Sequence, residues 1–158
     1  MAALDACHGQ NIHCALDTTG YTDLATLREV ARRTDLFLYD LKMMDRKKHQ
    51  QYTGVSNEII LRNLAFLADT GAEIIVRLPL IPGINDDNEN IDKTGRFVTA
   101  LPGDQKVHIL PYHDFQKTKY AKFAIPYRAG KILPPTNQQV AAVVNRLEKF
   151  SLDVIIGG

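Results

Sequence analysis

Asp17, Asp40, Lys42, Arg77 and His113 are charged or imidazole side chains that close four short apolar runs: Leu16-Asp17, Phe37-Leu38-Tyr39-Asp40-Leu41-Lys42, Ile74-Ile75-Val76-Arg77 and Val107-His108-Ile109-Leu110-Pro111-Tyr112-His113. Each has a plain structural reading and a chemical one. Asp17 before Thr18-Thr19-Gly20 suits a turn, and Asp40 inside an apolar run must be solvated at a rim or paired if buried. Lys42 has the ordinary solvent-facing role of lysine, yet at two residues from Asp40 it shares a strand face with it. Arg77, if turned inward, is a partner for a carboxylate or for ribose hydroxyls. His113 suits either a hydrogen-bonded structural histidine or a ligand contact.

The elements that carry these residues alternate between strand and helix patterns. The polar ends Asp17, Asp40, Arg77 and His113 recur at intervals of about 20 to 40 residues, the length of a βα unit. A helix over about Asp23–Arg33 places Leu24, Leu27, Val30 and Ala31 on one face, with Thr22 or Asp23 as its cap. Asp45 caps a short polar helix to about Thr53. Asn57 starts another that turns Ile60, Leu64, Leu67 and Ala68 inward before Gly71 ends it. Leu78-Pro79-Leu80-Ile81-Pro82-Gly83 reads as a loop, because two prolines do not both serve a central ladder, and Asp86-Asp87 then opens a helix carrying Ile91, Val98 and Leu101. Thr136-x-x-Gln139 is a capping-box pattern ahead of Val140, Val143, Val144 and Leu147, and Leu152–Ile156 is a candidate last strand.

Right-handed crossovers set such strands side by side with their polar ends on one rim, where ligands bind in parallel α/β folds. The expected fold is α/β, a partial (βα) barrel of about four parallel strands with flanking helices, in one domain over residues 1–158. Four strands leave a barrel open, since closure takes about eight. Residues 2–10 read as the end of a helix already running, so a fragment is expected.

Composition removes several functions. No apolar stretch approaches the roughly 20 residues of a membrane helix. A net charge of +1 and one short basic cluster, Arg46-Lys47-Lys48, disfavour nucleic-acid binding. The N-terminus lacks a secretory pattern, and two cysteines fit a reducing, cytoplasmic compartment. Cys7-His8 and His13-Cys14 are conceivable zinc ligands, but small packing thiols are the better reading.

Four segments in order, Ala15-Leu-Asp-Thr-Thr-Gly-Tyr21, Tyr39-Asp-Leu-Lys42, Arg77 with Pro82-Gly-Ile-Asn-Asp-Asp87, and Leu110-Pro-Tyr-His113, resemble the C-terminal part of the glycyl-radical-enzyme activating enzymes. The resemblance extends through Lys119-Tyr120 and Pro134-Pro135. It implies a six-stranded partial barrel of the radical S-adenosylmethionine superfamily, of which strands three to six stand here. It further implies Asp17, Thr18 and Asp40 at the amino-acid end of S-adenosylmethionine, with Lys42 pointing toward the cofactor, Arg77 at a carboxylate or ribose, and His113 against the nucleoside. The intact enzyme would place a radical on a glycine of a partner such as pyruvate formate-lyase, fed by an electron donor such as flavodoxin or ferredoxin.

The family's Cys-x3-Cys-x2-Cys loop, which binds a [4Fe-4S] cluster, has no counterpart here, and neither does its Gly-Gly-Glu segment. The chain alone is therefore expected to be inactive, with the cluster belonging to the intact enzyme only. Gln116 and Phe123-Ala124 depart from the family in the loop expected to face the partner. Two alternatives stand beside this reading: a truncated nucleoside- or partner-binding βα domain without catalysis, and a barrel lyase using Lys42 as a Schiff base.

Overall fold

The computed structural model describes residues 1–114, 120, 122–123 and 132–157. Lys119 and the departures at Gln116 and Ala124 lie outside the described residues. Five strands, β1 (Ala15–Thr18), β2 (Leu36–Asp40), β3 (Ile74–Leu80), β4 (Lys106–Pro111) and β5 (Asp153–Ile156), form one sheet in chain order with every neighbouring pair parallel. The candidate strand at Leu152–Ile156 is thus the fifth, beside the four expected. Around the sheet run α1 (Ala2–His8), α2 (Leu24–Ala31), α3 (Arg46–Thr53), α4 (Glu58–Asp69), α5 (Asn88–Thr99) and α6 (Asn137–Glu148).

A sheet whose strands follow one another in sequence takes each crossover in the same sense, which stacks the helices on one face. The burial shows this directly. Phe37, Tyr39, Ile74, Val76, Leu78, Leu80, Val107 and Ile109 alternate along the strands and are buried with Leu27 of α2, Ile60, Leu64 and Leu67 of α4, Ile91 and Val98 of α5, and Val140, Val143 and Leu147 of α6. Each such side chain contributes about 1.5–3 kcal/mol relative to exposure. The residues between them, Asp17, Leu38, Asp40, Ile75, Arg77, Pro79, His108 and Leu110, face away from the helices and none is fully buried. One face of the sheet is therefore left open, and it carries the polar side chains Asp17, Asp40, Arg77 and His108 among apolar ones.

One sequence expectation fails for an identifiable reason. The segment expected as a loop from Leu78 is strand through Leu80, with Pro79 opposite Leu110 and Leu80 opposite Pro111. In β3 the peptide groups of Glu73 and Arg77 face β2, accepting from Phe37 and Leu41, while that of Leu80 faces β4 and accepts from Tyr112. Pro79 shares the orientation of Arg77, and the paired part of β2 ends at Asp40. Its missing N–H comes just after the last β2–β3 rung, from the Leu41 amide to the Arg77 carbonyl, so it ends that ladder rather than interrupting it. Asn57 starts α4 as expected, without a side-chain cap bond; its amide instead donates to the carbonyls of Met43 and Met44, both at 3.0 Å. The capping expectations hold: Asp23, Asp45 and Asp87 accept from Thr26, Lys48 and Asn90, and Thr136 with Gln139 forms the full capping box.

Candidate functional site: the charged rim of an open sheet

Asp40 and Arg77 end up together because they are direct partners in the β2–β3 register. The guanidinium Nε donates to Asp40 Oδ1 at 2.9 Å, and a terminal nitrogen reaches the same oxygen at 2.8 Å. That nitrogen also donates to Asp17 Oδ1 on β1. Lys42, two residues past Asp40, places Nζ 3.2 Å from the other carboxylate oxygen. Asp17, Arg77, Asp40 and Lys42 thus form one linked network of two anions and two cations across three strands. Burial grades along it: the side chains of Arg77 and Asp40 are 13% and 18% exposed, Lys42 33% and Asp17 67%. Burial works against the charge of Arg77, but the hydrogen bonds and charges of Asp17 and Asp40 outweigh it and hold the guanidinium above its ordinary range.

Thr18 and His113 are placed differently. Thr18 pairs with Tyr39 and so has the helix-side parity, and its hydroxyl accepts from the Gly20 amide at 2.9 Å in a turn. His113 lies past the end of β4, exposed, at the same end of the sheet as the network. The turn after β1 is pinned from beneath. Gly20 has φ of +66°, and a Cβ there would lie 1.7 Å from the Tyr39 hydroxyl, which itself donates to the Ile60 carbonyl at 2.7 Å. Asn63 of α4 donates to the carbonyls of Gly20 and Thr22, each at 2.8 Å. Glycine is required there by both conformation and space.

Sequence reasoning passed over His108. It stands opposite Arg77 in the β3–β4 register and is half-buried, so Asp40, Arg77 and His108 lie in one row across the open face. The signal was available in the two-residue alternation of Val107-His108-Ile109, which puts the imidazole on the face opposite the buried valine and isoleucine. Cys14 is buried beneath the start of β1, its thiol donating to the Ile12 carbonyl at 3.4 Å. Burial, with Cys7 and Asp35 nearby, pushes that thiol up. Among the described residues, no three His, Cys, Asp or Glu side chains gather as metal ligands. No described helix is long and apolar enough to cross a membrane.

No family model matches the chain. It is 38% identical over 157 residues to the trans-4-hydroxy-L-proline dehydratase activating enzyme of Clostridioides difficile, covering 98% of this chain and 52% of that protein. The chain thus spans about half the length of that curated relative. Its fold matches the crystal structure of a domain of pyruvate-formate lyase-activating enzyme from Bacteroides vulgatus with a TM-score of 0.84 and 34% identity, over 99% of this chain and 88% of that one. A radical SAM methyltransferase from Sphaerobacter thermophilus shares the fold alone, with a TM-score of 0.64 and 15% identity over 94% of this chain and 42% of that one. With a third of its residues identical over most of a solved relative whose fold it matches, the chain belongs to the family of glycyl-radical-enzyme activating enzymes.

Proposed function

We propose that residues 1–158 form the C-terminal, cofactor-side arc of the active site of an activating enzyme that generates a glycyl radical on a partner enzyme of the pyruvate formate-lyase kind. The observation that carries this reading is the Asp17–Arg77–Asp40–Lys42 network on the open face of the sheet. S-adenosylmethionine presents a carboxylate, an ammonium and a sulfonium close together. A rim with two carboxylates and two cations matches that pattern of charge. Arg77 and Lys42 would hold the carboxylate or ribose hydroxyls, Asp40 and Asp17 the ammonium, with Thr18 at the same end and His113 toward the nucleoside. When bound, and given one electron by the cluster of the intact enzyme, S-adenosylmethionine would split at its C5'–S bond into methionine and the 5'-deoxyadenosyl radical that takes hydrogen from a glycine α-carbon. This chain's share is to orient the cofactor and exclude water from one side of it.

The iron–sulfur cluster does not fit the residues here. Its three thiolates exceed the two cysteines present, and Cys14 is buried at the base of β1 rather than at the rim. The cluster, and the docking of a flavodoxin- or ferredoxin-like electron donor, we assign to parts of the intact enzyme outside this sequence, and the chain alone is expected to be inactive. The Schiff-base alternative loses ground because Lys42 is paired with Asp40 and a third exposed, unlike the desolvated pocket that activates such a lysine. Equilibrium dialysis with S-adenosylmethionine tests the proposal. Arg77→Ala and Asp40→Ala should each weaken binding about tenfold, the loss expected for a charge-assisted contact. Unchanged affinity in both variants would remove the rim from the cofactor's site.

A further inference from the structure

We infer that Asn85 is a positioning residue for the rim, acting through Lys42. This rests on the reading of the rim given above and adds a residue on β3's outgoing loop to it. The β2–β3 ladder delivers its last rung from the Leu41 amide to the Arg77 carbonyl at 2.9 Å, and Pro79 has no N–H to supply the next one. Asn85 spans that gap. Its amide nitrogen donates to the Lys42 carbonyl at 2.9 Å and to the Pro79 carbonyl at 2.6 Å, while its oxygen accepts from the Ile81 amide at 2.8 Å. Both N–H groups and the acceptor are used, in a side chain only 1% exposed.

The clamp continues. Asn90 donates to the Asn85 carbonyl at 2.8 Å and accepts from the Met44 amide at 2.9 Å, and Asn57 holds the carbonyls of Met43 and Met44. Three buried amides therefore fix the backbone from Lys42 to Met44, with Leu41 and Met43 buried on either side of Lys42. A flexible four-carbon side chain meets Asp40 reproducibly only if the peptide it leaves from is fixed. Asn85 fixes the Lys42 peptide group itself, at the carbonyl. A buried apolar residue at position 85 would fill the space but leave the Lys42 and Pro79 carbonyls unpaired.

A double-mutant cycle read as S-adenosylmethionine affinity of this chain separates positioning from mere stability. Lys42→Met alone should weaken binding about tenfold, as for any charge-assisted contact. In an Asn85→Ala background the same substitution should change affinity less than about twofold, because the lysine is no longer held in place. Asp92→Asn, which loosens the remote ion pair of Asp92 with Arg146, should lower stability while leaving the effect of Lys42→Met intact. If Asn85→Ala does not fold, Asn90→Ala, which releases Asn85 and Met44, should at least halve the effect of Lys42→Met. An undiminished effect of Lys42→Met in the Asn85 or Asn90 background overturns the inference alone. Full affinity in Asp40→Ala and Arg77→Ala overturns the rim reading and this inference together.

Discussion

Arg77→Met removes the one cation among the described residues that touches both rim carboxylates, and its cost can be worked from the geometry. Asp17 Oδ1 and Asp40 Oδ1 contact the same guanidinium nitrogen, so the two oxygens lie within about 5 Å, where unit charges repel by about 3 kcal/mol at an effective dielectric of 20 and about 1 kcal/mol in water. Asp17 is 67% exposed, which pulls the figure toward the lower end. Asp40, 18% exposed, keeps Lys42 as a partner but loses two hydrogen-bond contacts with a charged group, worth about 1.5–3 kcal/mol between them after solvent competition. Methionine recovers part of this by packing its chain beside Ile75 and Pro79. The net expectation is a loss of about 2 kcal/mol in urea-denaturation stability at neutral pH, or about 4–8 °C in Tm for a chain of this size. Asp40→Asn added to Arg77→Met should restore at least half of it, since the second substitution removes one of the two carboxylates left repelling each other. Strictly additive losses, or a change below about 0.5 kcal/mol for Arg77→Met, would refute the picture of a coupled network.

Gly20→Ala should cost at least about 3 kcal/mol, because the added methyl meets the Tyr39 hydroxyl on a left-handed backbone; Tyr39→Phe should relieve part of that clash, and both are read by chemical denaturation. Acid should weaken the fold through its caps and one helix–helix pair. Backbone hydrogen bonds from Thr26, Lys48 and Asn90 hold the carboxyls of Asp23, Asp45 and Asp87 below their ordinary value of 3.8, and the hydrogen bonds of Arg146 do the same for Asp92. The unfolded chain then binds more protons in that range, so their contribution is complete above 3.8 and is lost as pH falls below it toward the lowered folded values. Tm against pH should decline there, and less steeply in Asp87→Asn with Asp92→Asn; an unchanged slope would contradict the assignment.

Four of the strands and the rim's charged side chains were legible because four apolar runs each terminate in a charged or imidazole residue, and parallel order follows from the spacing alone. Asp40 and Arg77 needed only their strands to be neighbours. What escaped was whatever depends on register or on a side chain's second use. Pro79 looked like a strand breaker because chain order does not tell which edge its nitrogen faces or that β2 has ended there. Asn57 sits where a cap belongs, yet bonds to a loop before it in sequence. Asn85 and Asn90 carry no periodic signal, since their partners are backbone carbonyls and amides supplied by other segments. Thr18 and Asp17 are adjacent, and the pleat sends them to opposite faces.

Backbone amide NMR of this chain, titrated with S-adenosylmethionine, tests the central claim most directly. The account predicts shifts concentrated at Asp17–Gly20, Asp40–Lys42, Arg77 and His113, the end of the sheet that carries the charge network. Shifts gathered instead at the opposite end, in the 460 Å³ cavity lined by Asp69, Glu73, Asp104 and Lys106, with the rim unmoved, would contradict it.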